Sequence, residues 1–316
     1  MKQFDFVKHN KLFASISIGI IVVGILCALI FGVEMDISFT GGTLLKYSFT
    51  GEVNADKVKE LGNATLGYPV DEVQIADNVV TVTLSDRITL EAQDAMTEAM
   101  ETTYKDQDIL LVNANSLDPT MGKWFFIKCL VAVALASILL MVYVAFRFRK
   151  IGGWSAGVMA LLALLNDLLV AFFAFVIFRI PLDDNFVAVL LSILGYSLNG
   201  TIVIYDRIRE NRRMLDAKTP VADVVNLSVN QSFTRCFNTA LCTFAAIAVV
   251  AVMALALHMD SIVSFAVPMM FGIISGFYTS TCLCSPVWVL WVEHAQKRAK
   301  LKKELAKSSK TTGKKK

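Results

Sequence analysis

The 316-residue sequence is poor in the side chains that carry out chemistry. It has three histidines, His9, His258 and His294, all near the edges of apolar runs and none with a second ligand at metal spacing. It has no P-loop and no His-Glu-x-x-His. Those absences exclude a nucleotide hydrolase and a zinc protease of the usual kind, so neither an enzyme nor a bound cofactor is expected. All six cysteines (Cys27, Cys129, Cys236, Cys242, Cys282, Cys284) lie in or beside apolar runs, and none lies in the acidic stretch 32–122. A disulfide framework or a cysteine metal cluster is therefore not expected. Cys282 and Cys284 read as small packing residues.

Apolar residues fill the space left by that chemistry. The chain is 55% hydrophobic, with a mean hydropathy of +0.59. The apolar residues are gathered into six blocks, roughly 12–31, 124–146, 154–178, 185–205, 236–257 and 262–292. Each reaches the ~20 residues needed to cross a bilayer core. The first block follows Lys2, Lys8 and Lys11 as a signal peptide would, but it is too long and lacks a clear cleavage pattern, so it reads as a retained anchor. The expected fold is a membrane α-helical bundle of six transmembrane helices with a small α+β domain inserted after the first. The expected organisation is an N-terminus over 1–11, a first span over 12–31, the inserted domain over 32–122, spans two to six over 123–292, and a basic tail over 293–316.

Charge is distributed by region. Residues 32–122 hold sixteen Asp and Glu against five Lys and Arg, whereas 293–316 hold ten Lys and Arg against two Glu. Basic residues also mark the second connection (Arg147, Arg149, Lys150) and the fourth (Arg207, Arg209, Arg212, Arg213, Lys218). The positive-inside bias places both termini in the cytoplasm and the acidic domain outside it. The tail reads first as a positive-inside anchor, with membrane lipid as a partner and no nucleic acid expected.

The inserted stretch alternates in a recognisable order. Strands are expected at Leu44–Thr50, Val70–Ala76, Val79–Leu84 and Ile109–Ala114, with a turn at Asp77-Asn78. Helices are expected at Val53–Thr65 and Leu90–Tyr104. The order β-α-β-β-α-β is that of a ferredoxin-like domain. With no His and no nucleophile–base pair, it reads as a recognition or mechanical module. Ahead of it stands Asp36-Ile-Ser-Phe-Thr-Gly-Gly-Thr, where Gly41 and Gly42 suit either a tight turn or a docking hinge.

Polar groups inside the apolar blocks are few, and each is a functional candidate because a charge there costs about 2.5–3.5 kcal/mol. Asp167, beside Asn166, sits in the middle of the third block and is the one acid deep in any of the six. It is expected to face the bundle interior. Two roles stay open, proton uptake and release, or a structural acid bonded to a neighbouring helix. The fourth block carries Gly195-Tyr-Ser-Leu-Asn-Gly-Thr and ends in Asp206-Arg207-Ile-Arg-Glu-Asn. Gly195 and Asn199 share a face, Ser197, Asn199 and Thr201 can bond across helices, and Gly195 and Gly200 weaken the helix locally. Asp206–Arg209 and Glu210–Arg213 are expected i,i+3 ion pairs. Arg235 either snorkels to the interface or turns inward toward Asn199 and Gly200. Pro268, Gly272, Gly276 and Pro286 point to kinks or close packing in the last block.

Four stretches together carry a resemblance. They are DISFTGG, MVYVAFRF, GYSLNGTIVIYDRIREN and NQSFTRCFNTAL, in order along residues 4–292. The chain resembles the SecF family of bacterial protein-export membrane proteins, within the RND superfamily. The resemblance implies pairing with a SecD-like subunit into a pseudo-symmetric twelve-span unit. It also implies association with the SecYEG channel, and proton-motive-force assistance to a translocating unfolded polypeptide at the bacterial cytoplasmic membrane. The family usually has Asp after GYSLN, where this chain has Gly200, and often His before the third-span Asp, where this chain has Asn166. Arg235 matches a family Arg and so loses its usual carboxylate partner. Three readings follow: an accessory translocase subunit, an RND-like small-solute transporter, and a structural scaffold of the translocon without energy coupling.

Overall fold

The structure is a computed structural model describing residues 4–51, 53–76, 78–105, 107–216, 218–257 and 259–312. Lys2, Asp77, His258 and residues 313–316, which enter the sequence reading, lie outside the described residues, as do the side chains of 299–312. In chain order the elements are α1 (Asn10–Phe31), the helical turn α2 (Ile37–Thr40), β1 (Gly42–Ser48), α3 (Ala55–Leu66), β2 (Glu72–Ala76) and β3 (Val79–Leu84). Next come α4 (Leu90–Thr103), β4 (Leu110–Leu117), α5 (Pro119–Arg147), α6 (Gly153–Ile177), α7 (Asp184–Met214) and α8 (Val221–Ala256). The last helix has three parts: α9 (Asp260–Tyr278), a π-helical turn at Thr279–Cys284, and α10 (Ser285–Thr312). Among the described residues, six helical segments are long and apolar enough to cross a membrane.

The chain divides into two compact units, one of them formed by Val33–Ala132 with Arg179–Val187. In that unit the four strands form one sheet in the order β2-β3-β1-β4, and every pairing is antiparallel. The period of two along each strand sorts the side chains. Leu45, Tyr47 and Phe49 from β1 and its end join Val80, Val82 and Leu84 from β3, against Val58 and Leu66 of α3 and Met96 and Met100 of α4. The helices start where side chains satisfy their free amides. Asn54 accepts from the Asp56 amide at 2.9 Å, and Thr89 from the Ala92 amide at 3.3 Å. At the start of α5, Asp118 accepts from the Thr120 amide at 2.9 Å and its hydroxyl at 2.5 Å. Those bonds hold the Asp118 carboxyl below its ordinary range.

The Asp36–Gly42 stretch is a tight turn with a built-in lock. Asp36 caps α2 by accepting from the Ser38 amide at 2.9 Å. Gly41 and Gly42 then take φ of +76° and +124°, a region open mainly to glycine. A Cβ at Gly42 would stand 2.2 Å from the Leu84 carbonyl oxygen. The α6–α7 connection belongs to this unit too. The Leu182 amide donates to the Glu34 carbonyl at 2.9 Å, the Asp36 amide to the Leu182 carbonyl at 3.0 Å, and the Arg179 guanidinium grips the Glu34 carboxylate.

In the other unit α6 is the central helix. Of its most apolar stretch 61% is buried, against 11% for α1 and 17% for α8. The apolar side chains left uncovered on α1, α5 and α8 suit contact with lipid or another apolar helix. Helices also run past the apolar blocks. The α7 helix continues through the charged run to Met214, and α8 begins at Val221, because an apolar block marks membrane depth and not the end of helical hydrogen bonding.

Gly42→Ala is expected to speed proteolysis of the 33–132 segment in the purified full chain, at a cost of about 2 kcal/mol or more. Gly19→Ala is the control: a Cβ at this helical position meets nothing within 4 Å.

Candidate functional site

Asp167 sits near the middle of α6 and is fully buried. Its carboxylate is answered by hydroxyls from two other helices. Ser197 Oγ of α7 donates to Oδ2 at 2.5 Å, and Ser275 Oγ of α9 donates to Oδ1 at 2.5 Å. Thr279 Oγ1, first residue of the π-helical turn, reaches Oδ2 at 2.9 Å and Oδ1 at 3.0 Å. Asn166 stands behind this set, donating to Ser275 Oγ at 3.3 Å. The result is a carboxyl tied to neutral donors on every side shown. None of the ion pairs among the described residues involves it.

Close helix approach makes these bonds reachable. A Cβ at Gly272 would stand 2.1 Å from Ile193 Cδ1, and one at Gly276 would stand 3.1 Å from Ser197 Cβ, so α9 lies directly against α7. The π-helical turn falls between Gly276 and Pro286, where such turns often mark function. It buries Thr279, Ser280 and Thr281 together. Ser280 Oγ donates back to the Gly276 carbonyl at 2.5 Å. Thr201 Oγ1 lies 3.4 Å from Ser280 Oγ. Cys284 is a free, buried thiol 3.1 Å from the Tyr205 hydroxyl.

Gly200 and Arg235 meet at a separate place. They line a cavity of about 60 Å³ with Asn199, Thr239 and Ser280. A Cβ at Gly200 would lie 2.8 Å from Ser280 Oγ, so any larger side chain there displaces that hydroxyl. Arg235 is exposed on α8 and forms no ion pair among the described residues. A static Arg235–Asp167 pair is thus not formed. Gly195 is exposed with nothing within 4 Å of its Cβ position. Among the described residues it therefore packs against no other helix, and Asn199 on the same face is exposed as well.

The charged end of α7 is a fastening. Asp206 pairs with Arg209 at 2.9 Å and with Arg147 at 3.2 Å. Glu210 pairs with Arg207 at 2.5 Å, not with Arg213 as the spacing suggests. The reason lies in Arg207, whose Nε also reaches Gln231 Oε1 at 2.7 Å and so turns its fork toward α8. Asn211 donates to Ser228 at 2.8 Å and Gln231 at 2.9 Å. Asn230, from the NQSF stretch, exchanges two bonds with Phe4, accepting at 3.1 Å and donating at 2.8 Å. Asp36, Gly41 and Gly42 belong to the other unit.

Ser275, Thr279 and Ser280 are the site residues that sequence reasoning missed. The available signal was two hydroxyls at i,i+4 within an apolar run, one helical face aimed at a partner.

Comparison with known proteins follows the same lines. The family described as protein export membrane protein SecD/SecF, C-terminal, matches residues 95–294. Protein translocase subunit SecF of Alicyclobacillus acidocaldarius is 31% identical over 304 residues, covering 94% of this chain and 96% of that protein. The chain belongs to the SecD/SecF family. Protein translocase subunit SecDF of Bacillus subtilis is 30% identical over 307 residues, covering 96% of this chain and 40% of that longer one. The crystal structure of SecDF from Thermus thermophilus, described as a translocon-associated membrane protein, superposes with a TM-score of 0.77 at 26% identity. It covers 92% of this chain, which spans 39% of that one.

Thr279→Val removes the hydroxyl that touches both Asp167 oxygens at nearly constant volume. It is expected to cost about 1.5–3 kcal/mol, lowering the apparent melting temperature in detergent by about 3–6 °C. Thr239→Val, whose hydroxyl bonds only its own helix, is expected to change it by less than about 1 °C.

Proposed function

We propose that this chain is an accessory subunit of the Sec protein translocase, acting with a SecD-like partner in the bacterial cytoplasmic membrane. The observation that carries this is the near full-length match to translocase subunits named SecF. The fused SecDF relative, of which this chain matches 40%, supports a SecD-like chain as the missing remainder. Association with SecYEG and contact with an unfolded translocating polypeptide follow from that reading. Both termini lie in the cytoplasm, which the basic connections and tail support. The inserted unit is a ferredoxin-like domain, a reading supported by the β2-β3-β1-β4 order and its antiparallel pairings.

Asp167 is the group through which this half responds to protons. Its partners are hydroxyls, each able to donate or accept. Protonation therefore leaves no buried cation behind, as it would in a salt bridge. Thr279 Oγ1 has a second acceptor in reach, the Gly276 carbonyl at 3.3 Å, so it can release the carboxyl without losing its own bond. The exchange would alter the tie of α6 to the π-helical turn.

Asp167→Asn in reconstituted vesicles with the SecD-like partner is expected to cut proton-motive-force-dependent export about tenfold, with folding and force-independent export retained. Unchanged export would make Asp167 a structural tie and move coupling to the partner.

A further inference from the structure

A second, larger cavity adjoins the one at Gly200 and shares Val203 and Arg235 with it. Its volume is about 560 Å³, and four arginines line it, Arg207, Arg209, Arg213 and Arg235, with two acids, Asp206 and Glu210. Both acids are already committed, Glu210 to Arg207 and Asp206 to Arg209 and Arg147. Among the described residues, the guanidiniums of Arg213 and Arg235 have no ion pair and donate no hydrogen bond. Two uncompensated cations therefore face one cavity.

The level of the cavity decides what fits it. The apolar run of α7 gives way to charge at Asp206, and that of α8 begins near Cys236. The lining residues straddle those two points, where apolar runs give way to charge, a boundary that suits the phosphate level of a bilayer. Val203, on the apolar side of Asp206, gives it an apolar wall at one end of the charged one. Basic pockets between membrane helices at this depth suit anionic headgroups, and the guanidinium fork matches phosphate oxygens in pairs. A free inorganic anion would satisfy the charge but leave the apolar wall unused.

We infer that this cavity seats the phosphodiester headgroup of an anionic phospholipid, held by Arg213 and Arg235. The site does not depend on how Asp167 handles protons.

The test uses the full chain, purified in detergent and incubated with phosphatidylglycerol, phosphatidylcholine or inorganic phosphate, with bound lipid counted by native mass spectrometry. Phosphatidylglycerol is expected to be retained and phosphatidylcholine not. Arg213→Gln and Arg235→Gln are each expected to lower retention about fivefold. Arg149→Gln, which removes the same charge from a side chain stacked on Phe146 and not lining the cavity, is expected to stay within about twofold. Circular dichroism checks that each variant keeps its helices. Equal retention of phosphatidylcholine, or an Arg149→Gln effect as large as the others, would overturn the inference. So would competition by inorganic phosphate at the same concentration, which would make this a simple anion site. Loss of the lipid on co-purification with the SecD-like partner would overturn it as well, giving the cavity to a partner acid.

Discussion

A carboxyl shut inside a membrane bundle must be answered by donors, because water cannot reach it and hydrocarbon offers none. Asp167 meets that constraint with Ser197, Ser275 and Thr279, drawn from α7 and the last helix. Much of the membrane unit follows from holding those donors in place. The last helix must lie close to α7, so glycines stand at 272 and 276, where a side chain would strike Ile193 or Ser197. Thr279 must turn toward α6, and it opens the segment that leaves α-helical geometry. The helix that carries the acid is also the most enclosed of the six. Packing, backbone irregularity and buried charge therefore have one origin.

Much of this was readable in the chain, for identifiable reasons. The six spans were legible because length and apolarity are nearly sufficient conditions for a membrane helix. The strands of the inserted unit were legible because alternation at Leu45, Tyr47, Val80 and Val82 reports directly on one buried face. Asp167 was legible because an acid in an apolar run has no other explanation than an interior position. Its partners were not. Serine and threonine are cheap to place in a membrane helix, so Ser275 and Thr279 raise no alarm on their own. The Glu210 pairing was misjudged for a related reason. Spacing offers Arg207 and Arg213 equally, and the choice is made by Gln231 on another helix.

Gly200 and Arg235 line one cavity, and no carboxylate among the described residues lines it with them. Among the described residues Arg235 has no ion pair. Gly195 and Asn199 are likewise exposed. Exposed groups at these positions are open to contact from outside the chain.

The hydroxyl set around Asp167 also fixes an order of assembly. Ser197 lies 30 residues further along the chain, but Ser275 lies 108 and Thr279 lies 112 residues further. At ordinary synthesis rates the acid therefore waits about 5–20 s for its last donors after α6 has been made. The Phe4 amide waits longer, since Asn230 is 226 residues away. Until the last helix arrives, the nascent bundle holds an acid with one hydroxyl partner in an apolar setting. Such a group is cheaper beside another polar surface than free in lipid. The final span thus closes the structure both in space and in time, and a chain stalled before Ser275 would leave the membrane with its carboxyl unsealed.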